Sequence, residues 1–193
     1  MNCFKGKFKV TSGYKLQERP DHNGIDIVGL EDVTIYAPCD GVIGVSTIVT
    51  NKLDRTWEWG NFVRLDTEDG HSIFMCHMAS RFVATGQRVK KGDKLGIMGY
   101  TGYTIPEGPG GTHTHLEIRK YGTRNVVSPE EYMGIPNKAG VYEAKWERRT
   151  LSENCAILQK HGIMNTPQYW INTAPKVLYL DELISNMAEA IDR

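Results

Sequence analysis

The run Thr112-His113-Thr114-His115-Leu116-Glu117 holds the densest set of chemically active side chains in this sequence. On a β-strand successive side chains point to opposite faces, so His113, His115 and Glu117 share one face and Thr114 and Leu116 the other. Histidine is the commonest metal ligand and a frequent acid or base near neutral pH. Two imidazoles aimed into one space can therefore hold a cation, or divide binding and proton transfer between them. A surface strand with two solvated histidines has the same spacing, so the pair takes its meaning from the rest of the chain. Glu117 reads either as a carboxylate that orients a ligand imidazole or as an ordinary exposed glutamate.

A second constellation is Arg19-Pro20-Asp21-His22-Asn23-Gly24-Ile25-Asp26-Ile27. His22 and Asp26 are four residues apart, and the Asn23-Gly24 turn between them can fold both side chains back to one point. Alone, His22 is a loop histidine and Asp26 a turn carboxylate. Joined by a third nitrogen ligand from elsewhere, a His-Asp-His set makes a catalytic zinc shell with its fourth position open. His77 ends the strand Ser72-Ile73-Phe74-Met75-Cys76-His77-Met78, whereas His71 lies beside a turn and reads as solvated.

The elements that must position these residues are mostly strands. Phe8 to Tyr14 reads as a short strand ending in a turn, and Ile25 and Ile27 start the next. Val33 to Val49 is β-rich, with Pro38 marking a strand start or edge. Thr50 to Gly60 is a polar protruding loop. Its Trp57 and Trp59 either line a substrate groove or close over the sheet edge. Phe62–Asp66 and Ser72–Met78 flank Glu68-Asp69-Gly70, a hairpin signal. Gly86 to Gly102 consists of short glycine-punctuated strands, as in a small barrel with tight corners. Nothing through Lys120 reads as helix. The Pro- and Gly-containing stretch Asn125 to Tyr142 is a connector. Leu151 to His161 can form a helix that Gly162 stops, and Pro167 to Trp170 begins a short turn. Val177, Leu180, Leu183, Ile184, Met187, Ala188 and Ile191 follow helical amphipathic spacing. The expected architecture is mainly β: a small antiparallel sheet or barrel-sandwich domain over 1–134, followed by a helical tail over 135–193. Packing on its neighbour, targeting and oligomerisation are the roles open to that tail.

The chain has 193 residues, with 23 Lys+Arg against 23 Asp+Glu, so no broad electrostatic field for nucleic acid arises. Hydrophobic content of 40% is globular. No apolar run is long enough to span a bilayer, and the first residues lack the apolar core of a signal peptide. Cys3, Cys39, Cys76 and Cys155 form no C-x-x-C pair and read as free thiols.

Taken together these residues resemble the lysostaphin/LytM-type zinc endopeptidases, which cleave peptides in bacterial peptidoglycan. His22-Asn23-Gly24-Ile25-Asp26 matches H-x-x-x-D, and His113-Thr114-His115 matches H-x-H. His77 lies between them, and Gly86 to Gly102 matches G-x-x-V-x-x-G-x-x-x-G-x-x-G-x-T-G. The resemblance covers roughly residues 8–120; three motifs in order are specific where each alone is weak. It implies that His22, Asp26 and His115 bind Zn2+. It also implies that His113 is general base toward the attacking water, and that His77 orients water or stabilises the oxyanion. The sequence departs from the pattern at Met75, where the family usually has Tyr, and at Cys39, where small residues are usual. Neither departure removes a ligand.

The implied partners are bacterial peptidoglycan peptides, with no nucleic acid and no membrane span. An opening close to the first strand suggests a constitutively competent enzyme of phage or prophage endolysin type. Such a protein is made in the cytoplasm and acts on the wall after release, unless this is a mature secreted form. Three other readings stand beside this one. The first is a non-catalytic peptidoglycan-binding or activator module, although degenerate relatives of that kind usually lose ligands. The second is a biotinyl- or lipoyl-type carrier, which leaves the histidines idle. The third is a different zinc carboxypeptidase with a similar shell.

Overall fold

The computed structural model describes residues 1–54, 56–144, 151–174 and 180–191. Period-two alternation puts most of the first part into strands. These are β1 (Gly6–Ser12), β2 (Gly24–Gly29), β3 (Thr34–Tyr36), β4 (Gly41–Ile48), β5 (Asn61–Thr67), β6 (His71–Met75), β7 (Ser80–Arg81), β8 (Arg88–Val89), β9 (Lys94–Ile97), β10 (Thr114–Lys120), β11 (Val126–Val127) and β12 (Gly140–Ala144). A nine-stranded antiparallel sheet runs β12-β1-β2-β10-β6-β5-β4-β8, with β11 beside β10, and a three-stranded sheet runs β3-β9-β7. The fold is mainly β and antiparallel, as its alternation implied. The sheet is open rather than closed into a barrel, because its path ends on β12 and β8.

The two faces of the large sheet do different work. Ile25, Ile27, Leu116, Ile118, Ile73, Met75, Val63 and Leu65 alternate onto one face. There they are fully buried in one cluster with Ile35 and Leu95 of the smaller sheet. Each such side chain contributes ~1.5–3 kcal/mol relative to exposure. Asp26, His115 and Glu117 alternate onto the other face, which they share with Phe62 and Phe74, packed against Trp59. The core therefore fixes β2 and β10, and the opposite face of those strands carries the polar groups.

Part of the stretch expected to be a bare connector is structured. It contains β11, α1 (Pro129–Met133) and β12. Ser128 caps α1 by accepting from the Glu131 backbone N–H at 3.4 Å, and Gly134 ends it in the left-handed conformation. β12 pairs with β1 from Gly6↔Ala144 to Val10↔Gly140. The compact unit consequently runs Met1–Trp146, with a second unit Glu147–Arg193, rather than dividing at 134/135.

The second unit contains α2 (Leu151–Lys160), α3 (Pro167–Thr173) and α4 (Leu180–Ile191). Cys155, Leu158, Met164, Ala174, Ile184 and Ala188 form its core. Gly162 follows α2 at φ +72°, the conformation that stops a helix. Val177, the first residue of the amphipathic pattern, lies outside the described residues. All four cysteines are free. No described helix is long and apolar enough to cross a membrane.

Candidate active site

Register brings the two motifs together. β2 and β10 pair with His115 opposite Asp26 and Glu117 opposite Gly24, and cross-strand partners on one face lie within side-chain reach. His22 enters from the loop before β2. That loop is tied to itself by Lys15 N–H donating to the His22 carbonyl at 2.9 Å and His22 N–H donating to the Arg19 carbonyl at 3.1 Å. Gly24 is required here because a Cβ on it would lie 2.5 Å from the Leu116 carbonyl oxygen and 2.7 Å from His115 Cε1.

Three donor atoms converge. His22 Nε2 lies 3.1 Å from Asp26 Oδ1 and 3.1 Å from His115 Nδ1, and His115 Nδ1 lies 3.0 Å from Asp26 Oδ1. Among the described residues these three form the one group of potential metal ligands whose donor atoms all lie within 4.8 Å. The His22 tautomer is set by its other nitrogen, because Nδ1–H donates to the Gly13 carbonyl at 2.6 Å. A carbonyl only accepts, so Nε2 carries a lone pair. Lone pairs on two imidazoles and a carboxylate at such separations need a proton or a cation between them. Burial opposes charge on His115, but hydrogen bonds and negative charge from Asp26 and Glu117 outweigh it and raise its pKa to about 9. Burial likewise opposes charge on Asp26. Hydrogen bonds from His115 and His22 win there too and hold it well below the usual carboxylate range. Two imidazoles and a carboxylate are also what zinc prefers, and ligands ~2.0–2.1 Å from a tetrahedral ion stand about 3.3 Å apart. The residues fit a zinc ion.

His113 and His77 flank this triangle. His113 precedes β10 in an isolated bridge to Gly99. Its Nδ1–H donates to the Gly111 carbonyl at 2.7 Å, and its Nε2 lies 3.6 Å from Asp26 Oδ1. His77 follows β6, which ends at Met75, and adopts φ +62°, a strained value for a non-glycine residue. Two loops hold it there. Its backbone N–H donates to the Trp59 carbonyl at 2.8 Å, and its Nδ1–H to the Thr101 carbonyl at 2.9 Å. Its ring lies 4.7 Å from that of His113 and 6.2 Å from that of His115, centroid to centroid. Burial, reinforced by the charge of His113, depresses the His77 pKa to about 4. His77 is therefore neutral near neutral pH, with a lone pair on Nε2.

Several residues around the site were not singled out by sequence reasoning. Arg19 Nη1 donates to Asp26 Oδ2 at 2.9 Å, which leaves Oδ1 for the histidines. The carbonyls of Gly13, Thr101 and Gly111 set three imidazole tautomers. Arg19 lies just before the His22–Asp26 motif and was readable as a charge near Asp26; backbone carbonyls leave no signal in residue type. Glu117 is buried rather than exposed. Trp59 packs edge-on against Phe62 and Phe74 at 5.2 Å each, while Trp57 lies 6.0 Å from the Tyr103 ring. His71 lies 3.2 Å from Asp69 and packs against Tyr132, apart from the triangle.

The sequence profile of peptidase family M23 matches residues 20–129. A curated relative, peptidoglycan DD-endopeptidase ShyC of Vibrio cholerae serotype O1, is 32% identical over 97 residues, which is 50% of this chain and 20% of the relative. The alignment thus spans about a fifth of that protein. Among solved structures, a mutant catalytic domain of the prophage-encoded M23 protein EnpA from Enterococcus faecalis aligns with TM-score 0.51 at 26% identity. That alignment covers 65% of this chain and 91% of that one. Lysostaphin, an antimicrobial peptidase from Staphylococcus simulans, shares the fold with TM-score 0.55 at 22% identity, over 66% of this chain and 49% of that one.

Proposed function

Because this chain belongs to peptidase family M23, we propose that it is a zinc-dependent endopeptidase that hydrolyses stem or cross-bridge peptides of bacterial peptidoglycan. The observation that carries this reading is the triangle of His22 Nε2, Asp26 Oδ1 and His115 Nδ1, with edges of 3.0–3.1 Å and the Nε2 of His113 beside it. The peptidoglycan substrate is supported by the relative from Vibrio cholerae.

His22, Asp26 and His115 would hold the zinc ion. When bound, zinc supplies Lewis acidity that polarises a carbonyl and lowers the pKa of water toward ~7. The remaining steps belong to side chains. His113 has its Nδ1–H committed to the Gly111 carbonyl, so Nε2 takes the proton of the attacking water and later returns it to the leaving amine. His77 has its Nδ1–H committed to the Thr101 carbonyl, so its free Nε2 accepts a hydrogen bond and orients water. Donation to the oxyanion, the other role expected for His77, needs a proton on Nε2 that this tautomer lacks. Arg19 neutralises Asp26 and fixes which carboxylate oxygen faces the ion. Every residue in this scheme precedes Lys120; packing, wall targeting and self-association remain the proposed roles of the helical unit.

The competing reading is a non-catalytic peptidoglycan-binding or activator module. The complete ligand set and the base beside it favour the enzyme. Incubating the zinc-loaded chain with purified peptidoglycan and identifying released muropeptides by mass spectrometry separates the two. New amino and carboxyl termini in the peptides support the proposal. Binding without any released fragment, from protein carrying stoichiometric zinc, supports the module instead.

A further inference from the structure

Glu117 is 3% exposed. A carboxylate removed from water needs partners for both oxygens. One oxygen, Oε1, is paired with Arg119 Nε. The guanidinium carbon of Arg119 lies 4.9 Å from the centre of the Phe74 ring and 5.2 Å from that of Trp59, a cation–π geometry on both rings. Those rings pack against Phe62, so the guanidinium rests on a rigid aromatic wall. An ion pair with Arg119 alone would not require Glu117 to be buried.

The second oxygen explains the burial. Glu117 Oε2 lies 3.6 Å from His115 Nε2, an ion-pair separation. Nε2 is the nitrogen of His115 that the triangle does not use. When the Nδ1 lone pair is given to a cation shared with Asp26 and His22, the ring proton sits on Nε2, and Glu117 is the carboxylate placed to face it. Gly24 opposes Glu117 in register, and a Cβ on it would lie 2.7 Å from His115 Cε1 and 2.8 Å from His115 Nε2. The missing side chain leaves room for the ring edge that Glu117 faces.

We infer that Glu117, held by Arg119 on the wall of Trp59 and Phe74, is a positioning residue for His115: it fixes the ring with Nδ1 toward the metal and strengthens that nitrogen as a ligand. This rests on the zinc reading of the site. Carboxylates that accept from the free N–H of a ligand histidine typically strengthen metal binding ~10–100-fold.

The test uses the full chain. Zinc dissociation constants are measured by competition with a chromogenic chelator for the wild type and Glu117→Gln, which keeps the shape and removes the charge. Melting of both zinc-free proteins is followed by circular dichroism. The expected result is zinc binding about 10–100-fold weaker in Glu117→Gln, with a melting transition retained. Equal affinity in the two proteins overturns the inference while leaving the zinc reading intact. A wild type that binds no zinc defeats the zinc reading, and this inference with it. Should Glu117→Gln fail to fold, histidine ¹⁵N spectra of the zinc-loaded wild type decide. A metal-bound Nδ1 and a protonated Nε2 on His115 support the inference, and coordination through Nε2 overturns it.

Discussion

His77 and Gly24 show how much of the site is decided by groups other than the three proposed ligands. The pKa of His77 is depressed to about 4 by burial first and the charge of His113 second. The folded protein keeps this ring neutral down to that pH, whereas the unfolded chain protonates it below ~6.5. Its contribution to stability is complete above pH ~6.5, declines as pH falls toward 4, and is then lost. The size is about 3 kcal/mol. Thermal melts of the zinc-free protein between pH 7 and 4.5 should show this decline, and His77→Asn should flatten it; an unchanged slope in the variant contradicts the assignment. Gly24→Ala places a methyl group against the Leu116 carbonyl and the His115 ring. Overpacking of this kind costs about 1–3 kcal/mol, and the displaced ring should bind zinc more weakly. Wild-type chelator competition by Gly24→Ala would show that the close approach does not matter. His22, Asp26, His77, His113 and His115 were readable from the sequence because their chemistry lies in residue type and local spacing. The tautomers were not, since they depend on the carbonyls of Gly13, Thr101 and Gly111 meeting the rings in the folded chain.

Strand periodicity is a local property, and β2, β5, β6 and β10 were correspondingly legible. Helix α1 left signals as well: Ser128 at the cap, Pro129 at the first position, Glu131 three residues on, and Gly134 at the end. Five helical residues are too few for apolar periodicity, so the proline and glycine read as connector. β12 could not be found that way, because its place depends on β1, far away in sequence. On β10, Thr114 faces the core at 0% exposure, and its hydroxyl has no partner among the described residues. A buried unpartnered hydroxyl is costly, and an isosteric apolar group removes that cost. Thr114→Val should raise stability by about 1 kcal/mol in denaturant unfolding and leave zinc content unchanged. A destabilised variant would mean that the hydroxyl is hydrogen-bonded in the folded protein.

The first compact unit reaches Trp146 because the chain after α1 returns to support the site. Asn137 accepts from the Tyr14 N–H at 2.6 Å and donates to the Tyr14 carbonyl at 2.9 Å, which clamps the loop between Gly13 and His22. β12 then covers the edge of β1. A protein ending at residue 146 should bind zinc and cleave soluble peptides as the full chain does. One ending at 134 should lose both, since it lacks Asn137 and β12. Equal zinc binding by the two truncations contradicts this account of the boundary. The central claim is that neighbouring histidines hold different offices, His115 the metal and His113 the proton. It is tested most directly by measuring zinc content and peptidoglycan hydrolysis together in the full-length wild type, His113→Ala and His115→Ala. The account predicts about one zinc per chain in the wild type and in His113→Ala, with turnover in the latter reduced ~10²–10⁴-fold. It predicts loss of both zinc and activity in His115→Ala. Full zinc and full hydrolysis in His115→Ala, or loss of the metal from His113→Ala alone, would contradict it.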